Sequence, residues 1–126
     1  MATLEFEFHG KRLSDFDLRR ILQAQEQGFY KPVTAYLCHA FISNSVCAGV
    51  VFGHVRKDPI GRLADGHWIG TSPILKAQRE GRFWVITTLN SRYVLTTFHR
   101  EFGRSSLRKL LGPEKDQTHA SPRWLQ

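Results

Sequence analysis

The chain has 126 residues, of which 41% are hydrophobic and 23% charged, an ordinary globular composition that excludes a disordered polymer and a disulfide-dependent miniprotein. Its net charge of +7 is uneven: the span from Lys76 to Lys109 holds eight Lys or Arg against two acids, Glu80 and Glu101, whereas the first thirty residues sum to −1. A one-sided field of this kind favours an anionic partner.

Leu4, Phe6 and Phe8 alternate with Glu5 and Glu7, the period of a half-buried strand. Met1 to Phe8 is thus unlike a basic-then-apolar leader, no apolar run reaches the roughly 18 residues of a spanning helix, and a cytoplasmic location is expected. Ser14 with Asp17 predicts a capped helix from Asp15 to Gln27, stapled by Leu13 and Leu18 and closed by Gly28, with Leu18, Ile21 and Leu22 inward. Val33–Ile42 and Val46–Val55 read as a central hairpin around Ser43-Asn44-Ser45, apolar on both faces. Gly49 and Gly53 predict a bend or a close approach there.

Lys57–Gly66 is an expected surface loop, followed by strand-like His67–Thr71 and Ile74–Gln78 on either side of Ser72-Pro73. Phe83–Leu89 and Arg92–Phe98 predict a second hairpin around Asn90-Ser91. Trp84, Ile86 and Thr88 share one face with Tyr93, Leu95 and Thr97; Phe83 and Val85 share the other with Val94 and Phe98. Ser105 is an expected cap for a short helix, Ser106–Leu111, ended by Gly112-Pro113. The expectation is one α+β domain over 1–113, with a loose 114–126 tail anchored only by Trp124. Its antiparallel β meander would curl into a small SH3-like barrel or roll, Ala48 to Thr97, with an N-terminal helix and a short C-terminal helix. An open antiparallel sheet with a helix on one face is the alternative.

Cys38 and Cys47 fit a reducing compartment, and position 38 facing 50 while 47 faces 41 puts them on opposite faces, too far apart to pair. His39 with Cys47, and Cys38 with His54, fall on opposite faces too, and no Cys-x-x-Cys spacing is present, so no zinc site is expected and no other cofactor is implied. His54, Asp58, Asp65 and His67 flank one loop, and His99 with Glu101 follows the last strand. Two imidazoles trading a proton beside an arginine could cleave RNA, which makes a small ribonuclease the enzymatic alternative. The stronger pattern is basic residues interleaved with aromatics. Arg82, Arg92, Arg100, Arg104, Arg108 and Lys109, with Tyr93 to stack, form the expected nucleic-acid or partner-binding set.

Asp65–Ser72 (DGHWIGTS) and Thr88–Leu95 (TLNSRYVL) resemble segments of small uncharacterised proteins of bacterial phages and integrative mobile elements, a likeness covering about a third of the chain. The resemblance implies context: such cargo includes regulators and inhibitors of host defence, among them anti-CRISPR proteins. The expected function is a non-enzymatic binding protein whose basic face engages nucleic acid or a nucleoprotein complex. An inhibitor that binds an acidic surface of a host protein is a further alternative.

Overall fold

A computed structural model describes residues 13–56 and 60–112; the expected first strand, Asp58, Pro113, the tail and Trp124 lie outside the described residues. Helix α1 spans Asp15–Gln27. Ser14 sits in extended backbone, its Oγ accepts from the Asp17 amide at 3.1 Å, and the Asp17 carboxylate accepts from the Ser14 amide at 2.9 Å. A reciprocal cap of this kind contributes about 1 kcal/mol. The helix ends where Gly28, at φ 75°, donates to the Ala24 carbonyl. Ile21 is buried as expected, but its buried companions are Asp17 and Ala24; Leu18 is half-buried and Leu22 is 52% exposed. Two polar tethers go with this rotation. Asp17 meets the His39 ring at 2.9 Å, and Arg20 Nε donates to the Thr96 carbonyl at 2.9 Å.

Strands β1 (Ala35–Ser43) and β2 (Val46–Phe52) form the expected hairpin, but around a two-residue turn. Asn44 and Ser45 both adopt left-handed backbone, φ 52° and 65°, as a type I′ turn requires. The shorter turn pairs Ile42 with Cys47 and Phe41 with Ala48, instead of 41 with 47. A bulge then absorbs one residue, so that His39 and Ala40 together oppose Gly49 and Cys38 returns to its expected partner, Val50. His39 is left-handed at φ 57°, an uncommon conformation for a side chain other than glycine. Opposite it, a Cβ on Gly49 would lie 3.0 Å from the Cys38 carbonyl oxygen and 3.2 Å from Leu37 Cβ, the close approach expected of this glycine.

Four further strands follow: β3 (Trp68–Gly70), β4 (Lys76–Glu80), β5 (Phe83–Thr87) and β6 (Arg92–Leu95). The sheet order is β3-β2-β1-β6-β5-β4, with β1 and β6 parallel and every other pair antiparallel. The sheet is open, so the expected barrel over Ala48–Thr97 does not close. Its strands are separated by β1, which is apolar on both faces and takes a neighbour on each side. The single meander is likewise corrected to two three-stranded units, because the link from β3 to β4 runs from one sheet edge to the other. In β5 and β6 the faces are as expected as far as Leu95, where the strand stops; beyond it the two assignments exchange, Phe98 joining the cluster of Trp84, Ile86 and Tyr93 while the Thr97 side chain bonds Asp17 of α1.

One face carries Leu37, Ala40, Cys47, Val51, Ile86 and Leu95; the other meets α1 through Cys38, Val50, Phe83, Val85 and Val94. Cys38 and Cys47 therefore do fall on opposite faces. Burial pushes each thiol up to about 12, which leaves them protonated and unreactive. Native protein is expected to resist alkylation, and both thiols should be modified after denaturation without reductant; a mass two hydrogens lighter and refractory to alkylation would contradict this geometry.

Helix α2 spans Gly103–Leu111, three residues longer at its start than expected, and Ser105 is not its cap. No side chain caps its first turn; the His99 ring orders the turn that precedes it, its Nδ1 accepting from the amides of Glu101 and Phe102 at 3.1 and 3.2 Å. The helix packs on β1, where the Ile42 amide donates to Ser106 Oγ at 2.9 Å. Gly103 makes that approach possible: a Cβ there would lie 2.7 Å from the Ala40 carbonyl oxygen and 2.6 Å from Phe98 Cβ. No helix among the described residues is long and apolar enough to cross a membrane.

Candidate polyanion-binding clefts

At the end of the sheet where β5 begins and β6 finishes, α1 and α2 flank a cleft of about 520 Å³ lined by Arg19, Arg20, Arg79, Arg82 and Arg104. Phe16, Gln23, Trp84, Leu95 and Phe98 complete it, and no carboxylate is among its lining residues. Phe16, Arg19, Arg20 and Gln23 stand at helical spacings of three and four, so one face of α1 delivers them together. Arg79 and Arg82 bracket the turn between β4 and β5, which is tied to α1 because Gln27 bonds both the Glu80 carbonyl, at 2.8 Å, and the Arg82 amide, at 3.0 Å. Arg104 comes from the first turn of α2.

Two of these guanidinium groups are fixed on rings. Arg20 lies 4.3 Å from the centre of the Phe83 ring and Arg104 4.7 Å from that of Phe98. Burial, then the neighbouring charges of Arg104, Arg82 and Arg79, pull the Arg20 pKa below its usual value. Like charges this close repel, and an anion placed among them relieves the repulsion. A second cleft, of about 390 Å³, shares Phe16, Arg20, Phe98 and Arg104 with the first and extends it past His99, Arg100 and Arg108. It also holds Glu101 and Asp17, but Asp17 is already engaged. Burial opposes its charge, yet hydrogen bonds from the Ser14 backbone, Thr97 and His39, together with the charge of His39, hold its pKa below the ordinary carboxylate value.

The structure divides the expected binding set. Arg82 and Arg104 line the first cleft, and Arg100, Arg104 and Arg108 the second. Lys109 is exposed on α2 but lines neither. Arg92 is spent on structure: it pairs with Glu80, which is 3% exposed, and donates to the Lys31 carbonyl. Tyr93 is 6% exposed, its ring edge-on to His54, and so it offers no face for stacking. Arg19, Arg20 and Arg79 were not in the expected set. Arg19 and Arg20 sit in the acidic first quarter, and the signal that would have found them is their helical spacing from Phe16 and Gln23.

The groups proposed for ribonuclease chemistry are dispersed. The His54 ring packs on Tyr93, opposite the start of β1, whereas the His99 amide bonds the Ala40 carbonyl, roughly 16 Å along that strand at 3.3 Å per residue. Burial and the Arg56 charge lower the His54 pKa. Asp65 accepts from the Gly53 amide at 2.9 Å, and His67 bonds the Ala64 carbonyl at 3.0 Å. His39, expected on the face of Cys47, turns its ring to Asp17 because of the bulge. Among the described residues no three His, Cys, Asp or Glu side chains are grouped as a metal ion requires. Compared with protein-family models, curated proteins and solved structures, the chain matches none.

Proposed function

We propose that this chain is a binding protein that captures a phosphate-rich polyanion, nucleic acid or a nucleoprotein, in its arginine clefts, and that it acts without catalysis. The carrying observation is the convergence of Arg19, Arg20, Arg79, Arg82 and Arg104 in one concave site whose lining contains no carboxylate. Guanidinium groups form paired hydrogen bonds to phosphate oxygens, and those resting on rings are oriented before the ligand arrives. The site draws on both helices and the β4–β5 turn, which favours a folded binding surface over a basic tail.

The test is the affinity of wild type and an Arg79→Ala, Arg82→Ala, Arg104→Ala variant for nucleic acid at several salt concentrations. Each lost phosphate contact should flatten the slope of log affinity against log salt by roughly 0.7 to 0.9. Unfolding midpoints should change little, since Arg79, Arg82 and Arg104 are exposed and make no ion pair with a described residue. Equal affinities and equal slopes would refute the reading.

A further inference from the structure

Beside the second cleft four rings form a surface cluster instead of joining the core. His99 and Phe102 are stacked, with centroids 4.7 Å apart and planes at 18°. Phe41 stands edge-on to His99, Phe102 and Trp68 at 5.5, 6.4 and 6.3 Å. Phe102 is 53% exposed and Trp68 46%, so each presents ring surface to solvent. The mounting is firm. Trp68 is fixed in β3 by pairing with Val50, and the His99 ring is held by the two amides it accepts from. His99 belongs both to this cluster and to the cleft of Arg100, Arg104 and Arg108, so cations and rings adjoin.

Resting on the polyanion reading above, we infer that the ligand is a single-stranded nucleic acid, its phosphates following Arg82, Arg20, Arg104 and Arg100 and its bases stacking on Phe102 and Trp68. A duplex hides the faces of its bases and offers such rings nothing to stack on; an unpaired strand exposes them beside a charged backbone. Rings next to an arginine track match that alternation of flat apolar and anionic groups. An acidic protein surface would satisfy the charges without requiring the rings.

The experiment measures binding of labelled single strands of about 12 nucleotides, DNA and RNA, and of a duplex of equal length, at two salt concentrations. Wild type is expected to prefer the single strand. Phe102→Ala and Trp68→Ala should each weaken single-strand binding by about five- to a hundredfold while leaving the salt slope unchanged, and Phe102→Tyr should keep most of the affinity. Circular dichroism and unfolding midpoints verify that both alanine variants fold, and Trp68 in its short edge strand gives a readout independent of α2. Equal binding of strand and duplex, unaffected by either ring substitution, overturns this inference while leaving the arginine reading in place. Binding of an acidic polypeptide with no binding of either nucleic acid overturns both.

Discussion

Replacing Arg92 with alanine is expected to destabilise the fold by about 3–5 kcal/mol, far more than the exposed position suggested by its place beside the Asn90-Ser91 turn. Its partner Glu80 is 3% exposed and also accepts from the Tyr30 amide and Gln78 Nε2. The pair joins the end of β4 to the start of β6 across β5, and through the Lys31 carbonyl it holds the loop leaving α1. Truncating Arg92 leaves a buried carboxylate without its cation, whereas Arg92→Ala combined with Glu80→Gln removes both charges and should recover part of the loss. Arg92→Lys should fall between, because an ammonium cannot reproduce the forked contacts to Glu80 and Lys31. Urea unfolding at neutral pH measures all three. A change within about 0.5 kcal/mol for Arg92→Ala would mean that the pair behaves as a solvated surface contact.

Gly103→Ala is the second change with a large expected effect. Both atoms its methyl group would strike belong to rigid surroundings: the Ala40 carbonyl oxygen at 2.7 Å and Phe98 Cβ at 2.6 Å. Helix α2 must then lift from β1, at an expected cost of about 1–3 kcal/mol. Arg104 and Arg108 move with the helix, so polyanion affinity should fall even though no charge is removed. Gln25→Ala, an exposed change on α1 that lines neither cleft, is the control and should alter neither stability nor affinity. Loss of stability with affinity intact would show that the position of α2 is irrelevant to binding.

The sequence makes local structure readable where one residue type enforces it. Ser14 with Asp17 specifies the start of α1 to the residue, and the alternation in Phe83–Thr87 and Arg92–Leu95 specifies their shared faces. It does not reveal which strands become neighbours. The β1–β6 ladder joins segments far apart in the chain, and nothing in either strand's pattern names the other. The same blindness affected the site. Arg92 and Tyr93 fit a basic and aromatic pattern, but burial by Glu80 and His54 removes them from it. Arg20 and Arg79 are brought together only by the tether from Gln27 to the β4–β5 turn. Proximity in sequence counted charges correctly and misplaced their arrangement.

The parallel pairing in the middle of the sheet also bears on how the chain assembles. The two three-stranded units are built mostly from nearby contacts and can form quickly, whereas joining them closes a loop of 58 residues, the separation of Arg92 from Thr34 and of Thr96 from Cys38. That closure is the expected slow step. The arginine clefts draw Arg19 and Arg20 from one side of it and Arg79, Arg82 and Arg104 from the other, so they do not exist until it is complete. A bound polyanion would therefore act as a latch, slowing the separation of the two units while leaving the rate of their joining almost untouched.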